Sequence, residues 1–174
     1  MTISIYTASV PAFVQSLEAL SAILAKATDF CAAKKIDPAV MCATRLIPDM
    51  LPLARQVMIA CDHAKNGSAR LAAVEAPKFE DTEKTIDELR ERIAKTVAYI
   101  STIDRSALEA APGREIRFSI GPNPMKMEAS AYLTHYALPN FYFHYTTAYA
   151  ILRSSGLDVG KRDFIGVPPG LEPA

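Results

Sequence analysis

The sequence predicts an all-α protein, a bundle of four long helices carrying one small β-hairpin near residues 115–127. Three observations support this. Apolar residues recur at steps of three and four over four long stretches, the mark of amphipathic helices. Proline, glycine and an Asp-Pro pair fall between those stretches. Only one short segment, Ile116 to Ile120, alternates with a period of two.

The first helix is expected over about Ile5 to Lys35, with Val10, Phe13, Leu17, Leu20, Leu24, Ala27 and Cys31 on one face. Pro11 does not suit a helix interior. Either the helix begins near Ser9 with the proline in its first turn, or an earlier turn is kinked there. Asp37-Pro38 is a break, because the residue before proline avoids helical geometry. Residues 39–46 form a short helix or an irregular turn. The second long helix is expected from Pro48 to Asn66, with Met50, Leu51, Ala54, Val57, Met58 and Cys61 inward and Gly67 as its stop. Ser68 to Lys78 reads as a linker.

The third helix starts at the capping residues Asp81 and Thr82, with Glu83 in its first turn. Ile86, Leu89, Ile93, Val97 and Ile100 form its stripe; Asp87, Glu88, Arg90, Glu91, Arg92 and Lys95 form a solvated face. Arg117 and Ser119 alternate with apolar neighbours, Gly121-Pro122-Asn123-Pro124 turns the chain, and Met125 and Met127 alternate after it, which makes the hairpin. The fourth helix runs from Glu128 to Ser155 and is apolar nearly all round, so it is central or packs one face on a partner subunit. Pro139 disturbs it and Gly156 ends it. From Leu157 the chain reads as loop, with a Pro-rich tail at Pro168, Pro169 and Pro173. The expected organisation is one domain over residues 1–166 and a flexible tail over 167–174.

A chain of 174 residues, half of them apolar, suits a single globular domain. Its formal net charge is zero and no basic stripe appears, so neither nucleic acid nor an anionic membrane is an expected partner. No run of 18 apolar residues marks a transmembrane helix, and Met1 to Val10 lacks the pattern of a signal peptide. Cys31, Cys42 and Cys61 are scattered with no CxxC pair; such thiols fit a reduced cytoplasm and apolar packing, not a structural zinc site.

The candidate site residues come from spacing. His135 and His144 are nine apart, on nearly opposite sides of a helix, so with His63 they do not make a three-histidine metal site. Asn140 and His144, four apart, share a face. Asp49, Gln56 and His63 are spaced by seven, which is also one face. If the two stripes meet, a polar pocket forms between helices, with Tyr136 and the other aromatic residues of the fourth helix at hand. Gln56, Asn140 and His144 are the candidate metal ligands; Asp49, His63 and Tyr136 are candidate pocket residues. Amide oxygens are poor ligands beside imidazole or carboxylate. The same residues also read as a buried hydrogen-bond network that fixes helix register, and both readings stand at this point. Gly160-Lys161-Arg162-Asp163 is no P-loop, and no GxSxG elbow is present.

Three blocks carry a resemblance: Pro139-Asn140-Phe141-Tyr142-Phe143-His144, Ala148 to Arg153, and Gly160 to Gly166. They resemble the signature blocks of DUF1993, an uncharacterised bacterial family, and the segments Ile5 to Leu24 and Asp49 to His63 are similar to it too. That family is similar to the DinB and YfiT group of four-helix bundles. The resemblance implies a DinB-like bundle, often a homodimer. In many members of the group a divalent metal is held by one histidine on the second helix and an HxxxH pair on the last; some are thiol-dependent transferases or isomerases. Carried onto this chain, the HxxxH pair falls on Asn140 and His144, and the second-helix histidine falls near Gln56. The expected function is therefore a polar inter-helix pocket for a small ligand or a weakly held divalent metal, with no cofactor certain. The alternatives are a metal-dependent transferase or hydrolase of the DinB/YfiT type and a non-catalytic structural homodimer.

Overall fold

A computed structural model describes residues 3–172; Pro173 of the tail lies outside the described residues. The chain opens with a single turn, α1 (Ile5–Ala8), capped by Ser4, and breaks at Ser9. Helix α2 (Val10–Lys34) then begins with Pro11 in its first turn, where a missing N–H leaves nothing unsatisfied. Both sequence alternatives for Pro11 thus hold in part: a separate earlier turn, and a fresh start at Ser9. Phe13, Leu17, Leu20, Leu24, Ala27 and Cys31 of α2 are buried. The left-handed residue Lys35 closes the helix, and Ile36 N–H donates back to the Cys31 carbonyl.

Asp37 caps the short α3 (Pro38–Ala43). Helix α4 (Leu53–Ala72) starts later and ends later than its sequence pattern indicated. Residues 48–52 are outside it, and Gly67 lies inside it. The stop is Ala73, at φ 57°, with Val74 N–H donating to the Ala69 carbonyl. Helix α5 (Ile86–Ser101) is capped by Thr85, not by Asp81 and Thr82: the Thr85 hydroxyl accepts from Glu88 N–H at 3.2 Å while Glu88 accepts from Thr85 N–H at 2.9 Å. A short α6 (Arg105–Glu109) follows, capped by Asp104.

Strands β1 (Glu115–Ile120) and β2 (Asn123–Glu128) form the antiparallel hairpin, pairing Ile116 with Met127 and Phe118 with Met125. Phe118 and Ile116 are buried, and Phe118 rests on Tyr132 and Tyr136. The last long helical segment has three parts: α7 (Ala129–Tyr132), a π-helical turn over Leu133–Ala137, and α8 (Leu138–Ser154) with Pro139 in its first turn. The region after Leu157 is not all loop. Gly160 N–H donates to Asp163 at 2.8 Å, and α9 (Lys161–Ile165) forms there. It lies across α2: Lys26 pairs with Asp163 at 2.6 Å, Gln15 donates to the Ile165 carbonyl at 2.9 Å, and the Tyr145 hydroxyl donates to the Phe164 carbonyl.

The four long helices close a ring. Helix α4 packs on α8 and on α5, α5 on α2, and α2 on α8. One continuous cluster of buried apolar residues fills it, with the Phe13 and Phe141 rings edge to face at 4.8 Å. The stretch Ile5–Lys34 is long and apolar enough to cross a bilayer by length and composition, which the absence of an unbroken apolar run had not indicated; half of its 18-residue apolar window is buried inside the protein. The last helix is not apolar on every face in the same sense. Phe143 is 57% exposed, and Tyr142 is exposed beside it.

Candidate functional site

The two polar stripes do meet, where α4 packs on α8. Gln56 lies in the first turn of α4 and is 1% exposed. Its Nε2 donates to the Leu51 carbonyl at 3.1 Å. That carbonyl can only accept, which fixes the amide orientation and turns Oε1 toward α8. There Oε1 stands 2.7 Å from His144 Nδ1. An amide oxygen also only accepts, so His144 Nδ1 carries the proton and the neutral ring keeps its lone pair on Nε2.

His63, two turns further along α4, stacks on His144 with ring centroids 5.8 Å apart and planes 13° apart. Tyr136 meets His63 edge-on at 6.2 Å. Burial pushes the His63 pKa down to about 4, and the neighbouring His144 and Arg70 push the same way against Asp62. Burial also lowers the His144 pKa. Both rings are therefore neutral near pH 7.

Tyr136 reaches this site because of the π-helical turn. Pro139 has no N–H to give the preceding turn, and the widened turn is closed instead by Leu138 N–H donating to the Leu133 carbonyl. Tyr136 lies within this turn, about two turns before His144. Asn140 uses its side chain locally: Nδ2 donates to the Tyr136 carbonyl at 2.7 Å, which satisfies an acceptor the irregular turn leaves open. Of the sequence-derived candidates, Gln56, His63, Tyr136 and His144 converge. Asn140 lies on the same face with its amide engaged elsewhere. Asp49 does not join them: it is exposed in the irregular segment before α4, because the seven-residue spacing is a face only where the backbone is helical. His135 is exposed on the far side, as its nine-residue separation from His144 implied.

The donor set does not fit a divalent metal. The positions onto which the resemblance carries the ligands, Asn140, His144 and one near Gln56, hold one imidazole and two neutral amides. Gln56 Oε1 and the imidazole Nδ1 of His144 are engaged with each other, Gln56 Nε2 with the Leu51 carbonyl, and Asn140 Nδ2 with the Tyr136 carbonyl. Among the described residues, no group of three or more His, Cys, Asp or Glu side chains is placed to hold a metal ion. The thiols are also poor nucleophiles. All three are buried and free, and burial raises the pKa of Cys42 to about 11 and of Cys61 to about 12.

A second polar cluster escaped sequence reasoning. Arg92, assigned by pattern to a solvated face, is 2% exposed. Its Nη2 sits 3.0 Å from both Asp62 and Asp81, and its Nη1 3.0 Å from Glu83. Lys65 joins through Asp62 at 3.1 Å and lies over the Phe79 ring at 4.4 Å. These contacts fasten residues 79–83 of the linker to α4 and α5. The available signal was Arg92 and Thr96, four apart and each one residue before a stripe position, Ile93 and Val97.

The model of a family described as Domain of unknown function (DUF1993) matches residues 5–165. A crystal structure of a DinB family member protein from Shewanella denitrificans is similar at a TM-score of 0.86 and 40% identity, over 97% of this chain and 95% of that one. No curated protein matches.

Proposed function

The chain belongs to the DUF1993 family and has a DinB-like helical fold, and from that premise we propose that its inter-helix site binds a small neutral molecule through Nε2 of His144. The observation that supports this is the row from the Leu51 carbonyl through Gln56 to His144, which commits Nδ1–H inward. The remaining nitrogen is an acceptor, so the ligand it takes carries a hydrogen-bond donor, a hydroxyl or an amide. Tyr136 and Phe143, whose rings flank His63 and His144, supply aromatic surface for the body of such a molecule. A metal-dependent transferase or hydrolase draws no support from this donor set.

The test is a titration of histidine-15N-labelled protein with a panel of small alcohols and primary amides. The expected result is a saturable shift of the His144 Nε2 resonance by at least one compound class, lost in His144→Ala while far-UV circular dichroism stays unchanged. Flat titrations across the panel, or shifts that persist without His144, would sink the reading.

The exposed Phe143 and Tyr142 of α8 favour a homodimer as the form in solution, and the three buried free cysteines favour a cytoplasmic setting. Both belong to the same proposal. Cell fractionation of the untagged protein checks the second; recovery in the membrane or periplasmic fraction would overturn it.

A further inference from the structure

We infer that this site has exchanged metal coordination for a hydrogen-bond relay, and that Gln56 and Asn140 are the two side chains that keep a divalent metal out. The inference stands whether or not a small molecule binds at His144. The frame for three ligands is intact. Gln56 Oε1 is 2.7 Å from His144 Nδ1, so the side chain at position 56 reaches the imidazole from the facing helix. Asn140 is one turn before His144 on α8, the i, i+4 relation in which two helical imidazoles share an ion.

What has changed is the chemistry of the atoms placed there. A transition-metal ion needs imidazole, carboxylate or thiolate lone pairs converging at about 2.0–2.3 Å. Position 56 offers an amide whose nitrogen holds the Leu51 carbonyl and whose oxygen holds the His144 proton. Position 140 offers an amide whose nitrogen closes the π-helical turn at Tyr136. To take Gln56 Oε1 as a ligand an ion would break its bond to His144, and it would then hold one imidazole and two neutral oxygens with no anionic ligand to offset its charge.

The relay also accounts for a polar side chain at the buried position of Gln56. A buried amide with both ends satisfied fixes the start of α4 against α8. Replacing it by histidine removes the bond to Leu51 but restores a ligand, and replacing Asn140 by histidine completes the pair. Two substitutions thus separate this site from a three-imidazole centre.

The experiment is a titration with Co2+ alone, read by equilibrium dialysis and by the visible d–d absorption of bound cobalt, on wild type, His144→Ala, and Gln56→His/Asn140→His. The expected result is no saturable site in wild type and about one Co2+ per chain, with d–d bands, in the folded double variant. Saturable wild-type binding near one Co2+ per chain, removed by His144→Ala, overturns the inference. So does a double variant that is folded by circular dichroism and still gains no cobalt. If the double variant fails to fold, the single Asn140→His is read in its place, with a gain of about tenfold or more in Co2+ affinity expected and none overturning the inference.

Discussion

Gln56 spends one side chain on two helices, and its replacement separates packing from hydrogen bonding. Gln56→Leu keeps the volume but leaves the part-buried Leu51 carbonyl and His144 Nδ1–H without this partner. Stranded buried groups cost about 1–3 kcal/mol each before relaxation. Urea denaturation should show a loss of about 2 kcal/mol for this variant; a stability within experimental error of wild type would show that the network is dispensable. Arg92 is the larger case. It neutralises Asp62, Asp81 and Glu83 while itself buried. Arg92→Leu leaves Glu83 without its cation, while Asp62 keeps Lys65 and Asp81 keeps Arg55. Since Asp62 and Asp81 retain solvent access, the loss falls at the low end of the range for broken buried pairs, about 3 kcal/mol. It should be accompanied by faster proteolysis within residues 74–85, detectable by mass spectrometry of limited digests. At this scale the sequence revealed Gln56 and His144 through helical spacing alone. It did not reveal Arg92, because a lone charge beside an apolar stripe reads as surface unless the linker that folds over it is known.

Helix ends were the least legible elements, and for a definite reason. Gly67 reads as a stop by residue type, yet nothing forces the chain out of helix there; the turn-back occurs at Ala73, which adopts the left-handed conformation without being glycine. The two residues are in each other's natural place. A Cβ at Gly67 meets Ala137 Cβ at 3.5 Å, an ordinary contact. Gly67→Ala and Ala73→Gly should therefore each stabilise the protein, by about 0.5–1 kcal/mol. Thermal melts test this, and a lowered midpoint for Gly67→Ala would mean that α4 and the π-helical turn are packed too closely for a methyl group. Two elements also set the acid limb of stability. His63 is held neutral in the fold, so the unfolded chain binds its proton more readily. Its contribution is complete above the ordinary value of 6.5 and is lost as pH falls from 6.5 toward about 4. Glu128, which accepts from Ser130, Ala131 and Gly113 N–H groups at the start of α7, is held down at about 2. Its contribution is complete above 4.5 and fades toward 2. Denaturation midpoints measured from pH 8 to pH 3 should fall in two stages, the first reduced in His63→Phe, since His144 shares it, and the second reduced in Glu128→Gln, since Asp81, Asp104, Glu115 and Asp163 share it. A single stage unchanged by either variant would contradict this assignment.

For the molecule as a whole, the four-helix arrangement and the hairpin were legible because their signals are periodic and long. The small closing elements were not. Helix α6 and helix α9 each span five residues, too few for a pattern to rise above chance, and each depends on a cap and on tertiary contacts. The exposed aromatic pair on α8 belongs to this scale as well. Light scattering at micromolar concentration should give twice the chain mass, and Phe143→Glu should halve it; a wild-type monomer would remove the homodimer and leave the pair as surface residues.

The seat of α9 on α2 has a bearing on how the protein is made. Gln15 is hydrogen-bonded to Ile165, and the two are 150 residues apart. The first long helix therefore leaves the ribosome well before the element that ties it down has been synthesised. Until α9 has cleared the exit tunnel, the outer flank of α2 near Gln15 and Ala19 is uncovered, and the nascent chain carries an apolar helix without this brace. Chains stalled or truncated before about residue 160 present chaperones and proteases with an open bundle.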